Sequence, residues 1–208
     1  MKKNKHLIIG LIATLILMIL IVAITFFELK KDYFSNTISN SEGVVLYEIQ
    51  STATEYQKEQ FKILAEKIED GTSLPDIAAS VVTNYIADFY TWSNKKGTYD
   101  IGGMQYVYQP EIVNIYTFAK DYFYRDLSYN IKKFGAENLL EVENVTITFS
   151  DFNVDVEYNG QIYNSFYVTA TWTYVQKEGF DTSGYQTSGE FSLLKRDDII
   201  EIYRYYGE

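Results

Sequence analysis

Apolar positions fall along this chain in three regimes. Residues 7–27 are apolar without interruption, residues 56–134 repeat at helical spacing, and residues 142–206 alternate. The first block, from Leu7 to Phe27, carries no charge and spans roughly 31 Å at about 1.5 Å per helical residue, near the hydrocarbon thickness of a bilayer. It predicts a transmembrane helix over 7–27 behind a short tail at 1–6. A cleaved signal would have a shorter apolar core and a small-x-small site, and Ile24-Thr25-Phe26-Phe27-Glu28 offers none. Residues 28–43 are polar, lack a repeating apolar face and read as a tether. Residues 44–208 then form one further domain.

Within that domain the first helix carries Tyr56, Phe61, Leu64, Ala65 and Ile68 on one face and stops at Gly71. Ser73-Leu74-Pro75-Asp76 starts a second helix, with a capping hydroxyl, a proline in the first turn and an acid at the positive dipole end. It runs to about Trp92 and buries Ile77, Val81, Tyr85 and Phe89. Glycines punctuate residues 93–109, and Met104-Gln105-Tyr106-Val107-Tyr108 has strand character, so a small hairpin is expected there. Pro110-Glu111 opens a third, long helix whose stripe is Ile112, Ile115, Tyr116, Ala119, Tyr122, Phe123, Leu127, Ile131 and Phe134, ending at Gly135.

From Val142 the period becomes two. Strands are expected over 142–149, 152–158, 161–175, 185–195 and 199–206, with Asn159-Gly160 as a two-residue hairpin turn and Arg196-Asp197-Asp198 as another. The third of these strands puts Phe166, Val168, Ala170, Trp172 and Tyr174 on one face. The fold class is therefore α+β: an N-terminal transmembrane helix, then three helices, with a small hairpin before the third, packed on a curved antiparallel sheet of four to five strands. This element order, over about residues 50–206, resembles the nuclear transport factor 2-like cone fold. With an anchor in front, it resembles the bridging subunit of bacterial type IV secretion and conjugation machines. The resemblance implies a cavity between sheet and helices, and assigns no functional residue.

Charge changes the picture next. Lys2, Lys3 and Lys5 precede the apolar run, so the positive-inside rule keeps the tail cytoplasmic and places residues 28–208 outside. All 28 acidic residues follow the run, with 15 of the 18 basic ones, which leaves the external part at 15 − 28 = −13. Such a field disfavours nucleic acid as a partner. The chain has no cysteine, which fits a bacterial envelope protein held by its core rather than by disulfides.

His6 is the only histidine and lies before the anchor. The external domain thus lacks the usual general base, nucleophile partner and zinc ligand, and no metal or cofactor signature takes their place. Asp151-Phe152-Asn153-Val154-Asp155 opens like a calcium loop, but Val156 and Ile162 stand where glycine and glutamate belong. What remains is carboxylate and phenol chemistry. Asp88, Asp100 and Asp121, flanked by Tyr85, Tyr99 and Tyr122, are the acids best placed for a base and oxyanion donor.

The segment 92–103, rich in glycine with an aromatic at its start, reads as a shaped loop between helices. A partner- or ligand-binding loop is accordingly expected at Trp92, Asp100, Tyr106 and Tyr108. Tyrosine is abundant, 20 in all, and densest at 104–108 and in Tyr203-Arg204-Tyr205-Tyr206, clusters suited to interfaces. The reading that results is a non-enzymatic, membrane-anchored scaffold or protein-binding module in a bacterial envelope assembly, conjugation and secretion included. Its expected partners are the membrane through residues 7–27 and other envelope proteins, with self-association open. The alternative is an extracytoplasmic small-ligand binder or a cone-fold enzyme using Asp and Tyr.

Overall fold

The computed structural model of the protein describes residues 14–20 and 36–207, and the side chains of all of these except 149–153 and 207. The chain divides into two units, Met1–Ser35 and Asn36–Glu208. In the first, residues 14–20 form an exposed helix, α1. The rest of the expected span 7–27 lies outside the described residues, as do the tail 1–6 and residues 28–35. Among the described residues no helix is long and apolar enough to cross a membrane.

The second unit is α+β. Its order is β1 (Thr37–Ser39), β2 (Val45–Glu48), α2 (Glu55–Glu69), α3 (Leu74–Phe89), α4 (Ile112–Asp121), α5 (Leu127–Phe134), β3 (Val142–Tyr158), β4 (Gln161–Tyr174), β5 (Ser188–Arg196) and β6 (Ile199–Gly207). The last four strands form an antiparallel sheet in sequence order, within the four to five strands expected. The β3–β4 hairpin closes through Asn159 and Gly160, both at positive φ (52° and 78°), which fits the strand twist. The segments expected as two strands over 142–158 are one strand, with register shifts that include Phe149/Asp151 and Phe152/Val154. The β4 face expected to be apolar is buried at all five positions.

Helix starts are local in origin. Thr54 caps α2 in a reciprocal box with Gln57, and the Ser73 hydroxyl accepts from the Asp76 amide to cap α3. From Ala78 to Phe89 α3 is buried on nearly every side, with Val81, Val82, Tyr85 and Ile86 fully enclosed, so it forms the centre of the core.

Three expectations differ from the structure. First, the end of the expected tether and the start of the expected domain, residues 37–48, form the β1–β2 hairpin, in which Thr37 pairs with Glu48 and Ile38 with Tyr47. Second, residues 93–109 hold no hairpin. Met104–Tyr106 and Gln109–Glu111 are short 3-10 turns, and Val107 bridges to Ile202 in parallel. Third, the long helix over 110–134 breaks between α4 and α5 at Tyr122. The Tyr124 hydroxyl donates to the Phe89 carbonyl (2.6 Å) and accepts from the Gly102 amide (3.2 Å). Phe123 also packs inward on Trp92, with ring centroids 5.0 Å apart. A regular helix cannot turn two consecutive residues to one side, so the chain re-phases there.

Candidate functional site

The site is built on the free edge of β6. Along its first half that edge is covered. The Tyr47 hydroxyl donates to the Ile200 carbonyl (2.8 Å) and accepts from the Ile200 amide (3.0 Å), and the Tyr108 amide donates to the Ile202 carbonyl (2.8 Å). Beyond Ile202 no such bond covers the edge among the described residues, and the tyrosine-rich end of the strand faces α4 across a gap.

That gap is a cavity of about 470 Å3 lined from three directions. Tyr85 and Phe89 come from α3, Glu111, Asn114, Ile115 and Phe118 from the start of α4, and Tyr203, Arg204, Tyr205 and Tyr206 from β6, with Gln186 from the preceding loop. It opens because α4 packs weakly: Ala119 is its only buried residue, while Val113 and Phe118 are exposed. Such a volume falls in the range of about 300–1,000 Å3 usual for small-molecule sites, and an apolar wall with a few polar groups is their usual lining.

The aromatic walls are held from behind. Tyr205 stacks on Phe191 (5.0 Å, 23°), Phe89 stacks on Tyr85 (5.2 Å, 17°), and the Tyr90 hydroxyl meets both the Tyr205 hydroxyl and Gln186 Oε1, the latter at 3.0 Å. Tyr85 is fully buried, and its hydroxyl has no hydrogen-bond partner among the described residues. A buried hydroxyl left unpaired costs about 1–3 kcal/mol. Tyr85→Phe is therefore expected to stabilise the protein by about 1 kcal/mol, a rise in melting temperature of roughly 2–4 °C. Thermal unfolding checks this, and destabilisation would show that the hydroxyl has a partner.

The charges at the cavity are two. Glu111 accepts from the Tyr158 hydroxyl and from Asn114 Nδ2 (3.1 Å), and these bonds, the tyrosine first, hold its carboxyl below the usual glutamate range. The same bond pushes the Tyr158 phenol up to about 12. Arg204 is exposed, lies over the Tyr203 ring at 5.6 Å, and makes no ion pair among the described residues. Burial pushes the phenols of Tyr85, Tyr90 and Tyr124 well above their ordinary range, so each stays a neutral donor at any physiological pH.

The residues expected to form a binding loop are placed elsewhere. Trp92 is buried, with Tyr185 at 5.2 Å edge-on and Phe180 at 6.5 Å. Asp100 accepts from the Lys96 amide (2.8 Å) and shapes its own turn. Tyr106 is buried and stacks on Tyr47 (5.4 Å), and the Tyr108 hydroxyl lies 3.2 Å from that of Tyr163 in a small cluster that shares only Tyr203 with the cavity wall described above. No ring contact or hydrogen bond joins any two of these four. The loop itself is fastened as structure. The Trp92 and Ser93 amides both donate to the Leu140 carbonyl (2.7 and 3.0 Å), and Asn94 donates to Thr52 O and Gln57 Oε1.

The three candidate acids do not make a base–donor pair either. Asp88 Oδ1 lies 2.6 Å from Lys95 Nζ and its Oδ2 accepts from the Gly103 amide (2.7 Å), so neither oxygen reaches Tyr85. Asp121 is paired loosely with Lys120 (3.6 Å) on the surface, and Tyr99 and Tyr122 are exposed. No group of three or more His, Cys, Asp or Glu among the described residues is placed to hold a metal ion. The cavity residues Phe89, Asn114, Ile115 and Phe118 had no sequence signal beyond apolar spacing; the cluster 203–206 did.

The chain matches no protein-family model, no curated protein and no solved structure.

Proposed function

We propose that this protein is a membrane-tethered, non-enzymatic binding module that takes a small organic molecule into the cavity between α4 and β6. One observation carries this reading: an open cavity of about 470 Å3 with six aromatic residues on its wall (Tyr85, Phe89, Phe118, Tyr203, Tyr205 and Tyr206). An apolar surface of that kind is costly to leave wet and gains from an apolar occupant. The apolar run 7–27 and the lysines before it support an anchor with the second unit outside the cytoplasm.

Binding is favoured over turnover by what the cavity residues are. Its one carboxylate, Glu111, is engaged by two donors, and burial pushes the phenols of Tyr85 and Tyr205 up, so none of these three is poised as a base near neutral pH. Ile115→Trp puts a large ring into the cavity from a half-buried position on α4. It is expected to abolish binding of aromatic fragments by the full chain in ligand-observed NMR, with its melting temperature little changed. Undiminished binding in that variant would reject the site.

A second reading, a tethered scaffold in an envelope assembly, is favoured by the apolar residues left exposed on α4 and α5. Val113, Phe118, Tyr122 and Tyr129 are each more than half exposed (72, 58, 66 and 62%), in contrast to the buried α3.

A further inference from the structure

We infer that the occupant of this cavity is a flat, ring-bearing organic anion, its rings stacked between the tyrosine and phenylalanine faces and its acid group on Arg204. The inference rests on the reading of the cavity as a small-molecule site and adds the class of molecule. The walls select shape. Tyr205 and Phe118 are each backed by another ring, on Phe191 and Tyr122 (the latter 4.7 Å, 28°), so they present flat faces rather than mobile aliphatic chains. Flat faces held in this way favour stacked or edge-on rings with centroids about 4.5–7 Å apart.

Charge selects the sign. Among the described residues, Arg204 is the only cation on the cavity wall and Glu111 the only anion. They are not equivalent, because the carboxylate already accepts from Tyr158 and Asn114, while the guanidinium makes no ion pair among the described residues. A cationic ligand would have to compete with two donors for Glu111 and would face Arg204. An anionic one meets the Glu111 charge in turn, but finds in Arg204 a planar fork of donors whose geometry matches a carboxylate or sulfonate. Arg204 aside, the external chain carries 28 acids against 14 bases (15 − 1) and repels anions generally, so their capture depends on this one guanidinium.

Three probes with one ring system test the inference: 2-naphthoate, 2-naphthalenemethanol and 2-naphthylmethylammonium, titrated calorimetrically into the full chain in lipid nanodiscs against empty nanodiscs. The naphthoate is expected to bind about tenfold tighter than the alcohol, and the ammonium more weakly than either. Arg204→Gln is expected to bring the naphthoate down to the affinity of the alcohol measured in the same variant, and added salt to erode the naphthoate advantage in the unaltered protein. Equal affinities for the three probes, tightest binding of the ammonium, or a naphthoate preference that survives Arg204→Gln would overturn the anion assignment and leave the cavity reading standing. Failure of all three probes to bind would remove that reading, and the inference with it.

Discussion

Asp88→Ala is expected to destabilise the protein by about 4 kcal/mol, the upper part of the range for breaking a buried ion pair. Its partner Lys95 has a side chain with no exposure at all, 2.6 Å from the carboxylate. Losing Asp88 would strand that ammonium in the core and free the Gly103 amide as well. The reverse change, Lys95→Met, should cost less, about 3 kcal/mol, because Asp88 retains 21% exposure and the Gly103 bond. The double variant Asp88→Leu/Lys95→Met should recover much of the loss, since an apolar pair of similar volume often replaces a buried ion pair at little cost. Chemical denaturation of the three variants measures the order. A double variant that loses as much as the two single variants together would show that the pair acts as two independent groups. The pair also explains Gly102: a Cβ there would collide with the Asp88 carbonyl, so the loop closes on α3 only through glycine.

The second large effect is expected from the removal of one oxygen. Tyr47→Phe leaves both the amide and the carbonyl of Ile200 without their partner, in a place where Tyr47 and Ile200 are each 2% exposed. At about 1–3 kcal/mol for each unsatisfied buried group, the loss is expected to reach about 3 kcal/mol. Hydrogen exchange adds a readout of position: the Ile200 amide should lose protection while the β4 amides keep theirs under native conditions. A variant of wild-type stability would show that water replaces the hydroxyl, and that the β1–β2 hairpin is dispensable cover for the edge of β6.

That hairpin shows where sequence reasoning stops. Residues 37–48 gave no strand signal because the partners that fix them are far off in the chain: the Tyr47 hydroxyl meets Ile200, 153 residues away, and Asn40 meets Asp198, 158 residues away. No local period carries such a contact. The break before α5 was hidden for a related reason: its cause is the Tyr124 hydroxyl on the Phe89 carbonyl, 35 residues back, while the apolar stripe runs on across the break. Local devices were legible. The caps of α2 and α3, the apolar face of β4 and the Asn159-Gly160 turn each depend on residues within a few positions of one another.

The site was legible in part. Tyr203-Arg204-Tyr205-Tyr206 stood out by composition and lines the cavity. Trp92, Tyr106 and Tyr108 stood out on the same ground and went into the interior instead. Aromatic density marks where large rings are needed without saying whether they face a core or a cavity, and only the packing of α4 decides that. The orphaned Tyr85 hydroxyl had no sequence signature, because being unpaired is a property of the surroundings.

The most direct test of the binding reading is where a bound ring lies. Intermolecular nuclear Overhauser effects between 2-naphthalenemethanol and the full chain, with phenylalanine and tyrosine ring protons assigned, report that position. The account predicts contacts to Phe118 and Tyr205, which line the cavity from opposite sides, and their loss in Ile115→Trp. Contacts confined to Tyr129 and Tyr99 on the exposed surface, or none to Phe118 and Tyr205, would contradict it.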